Sequence, residues 1–178
     1  MEIVVIGLVR IIGSLAVLRW AFVGALIAIA VDFSDLFLMN LLDFGGLRDY
    51  QRFDKIADLV YMSAFLWVSR RWVGPAKDWA LALFVFRMVG LVSFEATQAR
   101  WLLFAFANVF EFWYVANAGI LHWRPQKVLD NRSGALLLAG LLPLKLLQEY
   151  ALHYARWLDD FTAIEAVEAT WDWLVFWS

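Results

Sequence analysis

The sequence reads as an all-α protein, a polytopic transmembrane helix bundle of about five spans with an interfacial helix at each end. Three observations lead there. Of 178 residues, 63% are hydrophobic and only 18% charged, with a mean hydropathy of +0.68, against roughly 45–50% and about 25% in soluble domains. A chain of this size cannot hide that excess in one water-surrounded core. The apolar residues run in segments near the roughly 20 residues that a span requires, and they lack the period-two alternation of strands. In lipid, a helix satisfies its own backbone N–H and C=O groups.

Residues 1–19 are expected to form an interfacial or membrane-entry helix, because this apolar run carries Arg10 and Arg19. The run that ends at Ala28-Ile29-Ala30 has the form of a signal sequence but is expected to stay as an anchor. The transmembrane bundle occupies 20–154, with spans over 20–39, 54–70, 79–97, 101–120 and 134–152. Gly45-Gly46, Gly74-Pro75, a tight turn near Gln98 and a polar stretch from His122 to Ser133 separate them. Connections this short make neighbouring helices antiparallel. Trp20, Trp72, Trp79 and Trp123 fall on one side and Trp101 and Trp157 on the other, the positions of an aromatic belt.

Residues 155–178 differ in composition. Trp157, Phe161, Ile164, Trp171 and Leu174 recur at helical spacings, with Asp159, Asp160, Glu165, Glu168 and Asp172 between them. This is an acidic amphipathic helix for the membrane surface or a partner subunit, through which a homodimer or larger membrane complex would form. For orientation, Arg10, Arg19, Arg70, Arg71, Lys77, Arg124, Lys127 and Arg132 outnumber Arg48, Arg52, Lys55, Arg100 and Arg156 on the other side, so the N-terminus is expected in the cytoplasm.

Composition also excludes chemistry. Lys plus Arg total 15 against 17 Asp plus Glu, with no basic block to follow a phosphate backbone, so nucleic acid is not an expected partner. Membrane lipids are. The absence of cysteine removes iron–sulfur clusters and thiolate zinc sites. Haem is not expected either, since His122 falls in a loop.

The informative residues are charges within spans, which are costly and mark functional sites by default. Asp32 and Asp35, at i,i+3 spacing, share one helical face near the end of the first span. Asp54 and Asp58, at i,i+4, do so at the start of the second. An antiparallel pair would bring all four carboxylates to one depth, where metal ions, basic residues such as Arg48, Arg52 or Lys55, or protonation must offset them. Oxygen-only ligands suit Mg²⁺ or Mn²⁺. Glu95, Glu149 and His153 lie towards the same side and are expected to line a polar cavity. Arg87 and Glu111 reach similar mid-span depth on neighbouring helices and are expected to form a structural ion pair. Lys145, just beyond Pro143, can meet Glu149 at i,i+4 or turn into the cavity.

Asp32-Phe-Ser-Asp35 followed by Asp54-Lys-Ile-Ala-Asp58 distantly resembles the signature of the CDP-alcohol phosphatidyltransferases, D-x-x-D-G-x-x-A-R, eight or nine residues, then G-x-x-x-D-x-x-x-D. Leu36, Met39-Asn40 and Tyr50 stand where that signature has glycine, Ala-Arg and glycine. The resemblance implies a bundle of about six membrane helices, usually dimeric. It implies two divalent metals held by Asp32, Asp35 and Asp54, and Asp58 as the base that activates an acceptor alcohol. On this reading the protein is a metal-dependent phosphotransferase of lipid metabolism. A non-catalytic accessory subunit of a membrane complex, or an ion or proton pathway past Asp58, Glu95 and Glu149, are the alternatives.

Overall fold

The computed structural model describes residues 2–41, 50–99, 101–150 and 163–176; within these, the side chains of 2–6, 33–41, 50–57, 163–167, 170 and 174 lie outside the description. The described residues are helical and contain no strand, in agreement with an all-α fold.

Helices α1 (Glu2–Arg19) and α2 (Ala21–Leu41) are joined through Trp20 alone. Gly24 makes so tight a corner feasible: a Cβ there would overlap the backbone of Ala16 and Val17. Farther along, Gly13 lies against Val31 and Arg10 reaches Asp32, so the two helices run antiparallel. Segment 1–19, expected as an interfacial or membrane-entry helix, therefore lies along α2 and α3 (Tyr50–Ser69), with Glu2 at the end opposite Arg19. It buries Arg10, Ser14 and Val17 and leaves Leu8, Ile12 and Leu15 exposed.

Helix α4 (Pro75–Thr97) starts at the Gly74-Pro75 punctuation itself, four residues before the expected span. Gly74 takes a positive φ of 75° and Pro75 opens the helix, where its missing N–H costs nothing. Gln98 ends it in the left-handed conformation, its amide donating to the Phe94 carbonyl. The run expected as one span over 101–120 is instead two helices, α5 (Trp101–Ala105) and α6 (Val109–Trp123), broken at Phe106-Ala107-Asn108. Helix α7 (Asn131–Glu149) is capped by Asp130, whose carboxylate accepts the Ser133 N–H at 3.1 Å. Helix α8 (Ala163–Phe176) touches α2 and exposes Trp171, Trp173 and Phe176; the rest of the 155–178 segment lies outside the described residues.

Among the described residues, two stretches are long and apolar enough to cross a membrane, Pro75–Thr97 and Trp101–Trp123, rather than about five. Charge interrupts two of the others. α1 carries Glu2, Arg10 and Arg19, and α7 carries Arg132, Lys145 and Glu149. Within the described side chains of α2 and α3, the apolar stretches are Ala21–Asp32 and Asp58–Ser69. Only 22% of the apolar stretch within α4 is buried, so the rest of the bundle does not enclose this helix: Val85, Val89 and Val92 face outward.

The core is aromatic. Phe65, Phe110, Trp113 and Tyr114 are fully enclosed. Tyr114 stacks on Phe65 at 4.1 Å and on Trp72 at 5.2 Å, and Phe110 meets Phe84 edge-on at 5.5 Å. The Trp113 indole N–H donates to the Ala76 carbonyl at 3.2 Å, satisfying its one buried donor. Of the belt residues, Trp20, Trp101 and Trp123 are outward and Trp72 and Trp79 pack against the core.

Candidate functional site

The buried charged groups gather in one half of the bundle. Arg10, Asp32, Asp58, Arg87, Glu111, Lys145 and Glu149 all lie within about ten residues of the helix ends on that side, about 15 Å at 1.5 Å rise per residue. They form two clusters joined by neutral side chains.

The first cluster centres on Arg10 of α1, only 3% exposed. Its Nη2 donates to Asp32 of α2 and, at 2.6 Å, to Asp58 of α3. Two of the four predicted aspartates thus converge from different helices on one point. An arginine of α1 is a neutralising partner of both; the side chains of Arg48, Arg52 and Lys55 lie outside the described residues. So do the side chains of Asp35 and Asp54, although the backbone places both on the same helices. Among the described residues no group of three or more acids and histidines is close enough to hold a metal ion.

The second cluster centres on Lys145 of α7. Its ammonium lies 3.5 Å from Glu111 and 3.3 Å from Glu149, donates to Gln148 at 2.9 Å and sits 5.1 Å from the Phe112 ring centre. Pro143 and the i,i+4 spacing foreshadow the contact with Glu149. The contact with Glu111 corrects the expected Arg87–Glu111 pair.

Arg87 turns elsewhere for a physical reason. The break between α5 and α6 leaves carbonyls without helical partners, and the Arg87 guanidinium donates to those of Phe106 at 2.9 Å and Leu103 at 3.4 Å. Gly90, where a Cβ would overlap Phe106, lets α4 approach closely enough. Arg87 and Glu111 share a depth, as expected, but face different neighbours.

Tyr61 and Asn108 join the clusters. The Asn108 amide donates to the Tyr61 hydroxyl at 3.2 Å and to Glu111 at 3.3 Å, while Asp58, Glu111, Arg87 and Arg10 all act electrostatically on that hydroxyl. Asn108 Oδ1 and Arg87 Nε are buried without a hydrogen-bond partner. Neither Tyr61 nor Asn108 stands out in the sequence by spacing, though an asparagine inside an apolar run is a signal that the helix is interrupted there. Of the expected cavity residues, Glu149 is buried in the second cluster, Glu95 is exposed near the end of α4, and His153 lies outside the described residues.

Among the described side chains of the two clusters and their bridge, Asp32, Asp58, Glu111 and Glu149 face Arg10, Arg87 and Lys145. Beyond them the aromatic stack of Phe65, Phe110 and Tyr114 fills the bundle. No protein-family model, curated protein or solved structure matches the chain.

Proposed function

We propose that the chain is a multi-pass integral membrane protein whose polar half binds a divalent cation and acts on a phosphate-linked lipid, as a metal-dependent phosphotransferase. The observation that carries this reading is the meeting of Asp32 and Asp58 at one guanidinium, with Asp35 and Asp54 on the same two helices. Membrane embedding draws on the apolar, outward α4. Counting α5 and α6 together, α1 to α7 make six helical units, in keeping with the about six helices that the signature resemblance implies. The proposed cation ligands are Asp32, Asp35 and Asp54, all oxygen donors of the kind Mg²⁺ and Mn²⁺ take. A bound cation would offset the charge of the phosphate. Asp58 would accept the proton of the attacking hydroxyl, and Arg10 could exchange a carboxylate for phosphate oxygens, which its planar fork also fits.

A second reading has its own observation: Arg10, Arg87 and Lys145 each already have partners within the chain. The polar half is then a permanent clamp in a non-catalytic accessory subunit, with the exposed tryptophans of α8 available to partners. An ion or proton pathway is least supported, because the aromatic stack lies beyond the polar groups.

The test is the thermal midpoint of the detergent-purified protein with and without Mn²⁺ and a CDP-linked lipid. Wild type should rise by mass action and release CMP, and Asp54→Asn with Asp58→Asn should do neither. An unmoved wild type overturns the phosphotransferase reading. The accessory reading predicts that Asp58→Asn is tolerated while removal of 157–178 abolishes assembly.

A further inference from the structure

The opposite end of the bundle carries two adjoining cavities, far from the aspartates. One, of about 450 Å³, lies between the start of α2 and the end of α6. Phe22, Ala116, Gly119 and Trp123 line its apolar part, and Arg124 and Lys127 its polar part. The other, of about 370 Å³, shares Ile120, Lys127 and Leu129 with it and adds Arg71 and Trp72.

The apolar trough has built walls. The Phe22 ring stands 4.9 Å from Trp123 and 5.6 Å from His122. Gly119 forms part of its floor: a Cβ there would come within 3.1 Å of Phe22 and 3.3 Å of Trp123. Exposed Trp20 and Trp123 flank this end, the amphipathic residues that settle at headgroup level.

The cations beside the trough are unengaged. Arg71, Arg124 and Lys127 are exposed and, among the described residues, make no ion pair or side-chain hydrogen bond. Lys127 acts electrostatically on Asp130, but that carboxylate is already bonded to Ser133. Arg19, Arg70, Lys77 and Arg132 belong to the same end, with Asp78 and Asp130 beside them. An apolar trough with cations at its polar end matches the two halves of one ligand class.

We propose that the groove between α2 and α6 binds an anionic phospholipid, its acyl chain along Phe22, Ala116 and Gly119 and its phosphate between Arg124 and Lys127. The inference rests on the membrane part of the reading above and is independent of phosphotransfer.

Protein purified in an uncharged detergent is titrated with phosphatidylglycerol, phosphatidylcholine or inorganic phosphate. Phosphatidylglycerol should raise the wild-type midpoint by about 5 °C, the order expected of a ligand well above its dissociation constant in a chain this size. The other two should leave it unmoved. Arg124→Gln with Lys127→Gln, and separately Ala116→Phe, should abolish the shift, whereas Asp58→Asn should keep it. Should a variant lower its own midpoint, native mass spectrometry of the same samples decides: retained phosphatidylglycerol on wild type and not on the variant is expected. Equal shifts or equal retention in wild type and both variants, or an equal response to phosphatidylcholine or to inorganic phosphate, overturn the proposal. Recovery of the chain in the soluble fraction without detergent overturns the membrane reading instead, before any lipid is added.

Discussion

The bundle has a polar half and an aromatic half, and the two are held together by different physics. Around Tyr114, stability comes from many small contacts among Phe65, Phe110, Trp72 and their neighbours. Each contact is individually weak and replaceable by another apolar group of similar volume. Around Arg10 and Lys145, a few charges depend on one another, and removal of one member leaves the rest uncompensated. One half should therefore degrade gradually under substitution and the other abruptly. The buried charges bring little net stability over an apolar core.

The sharpest test is at Lys145. Lys145→Met removes the cation beside Glu111 and Glu149, both largely buried, and should cost about 3–5 kcal/mol, read from unfolding in detergent. Adding Glu111→Gln and Glu149→Gln should recover most of that loss. A triple variant no more stable than the single one would show that the cluster is not a coupled unit.

Phe65→Ala in the aromatic half should cost about 3 kcal/mol through the cavity it leaves, and Phe65→Leu about 1. A Phe65→Leu loss as large as that of Lys145→Met would erase the distinction between the halves. Next comes Asn108→Ala, which removes the hydrogen bonds to Tyr61 and Glu111 and should cost about 1–2 kcal/mol. Raised amide exchange over 101–123 should accompany it.

The smallest effect is expected outside both halves, at Asp130. Hydrogen bonds from Ser133 hold its carboxyl below the usual aspartate range. A group depressed on folding contributes stability above its unfolded value, about 3.9, and loses it as pH falls through the folded value. Asp130→Ala should therefore lower the midpoint slightly at neutral pH and not at all in acid. A difference that persists in acid would assign the effect to something other than the charged cap.

Much of the polar half was visible in spacing. The i,i+3 and i,i+4 aspartate pairs flanking one connection imply convergence, and Asp32 and Asp58 do converge. Arg10 was hidden because its partners lie 22 and 48 residues away and are reached only when α1 folds back over Trp20. Arg87 and Glu111 show the complementary failure. Rise per residue predicts depth along a helix, but the direction a side chain faces depends on helix rotation and on the break at Asn108, neither of which periodicity records.

By itself the sequence determined the helical class, the approximate positions of the helices, the punctuation at Gly74-Pro75 and Gln98, and the shared depth of Arg87 and Glu111. These follow from local composition and from a fixed rise per residue. The sequence set Arg10, however, at the wrong end of the bundle. Only the tertiary structure decided which charges meet, where 101–123 is broken, and that α1 joins the bundle. Those depend on contacts between segments far apart in the chain, where a buried donor takes whichever acceptor the packing brings within about 3 Å.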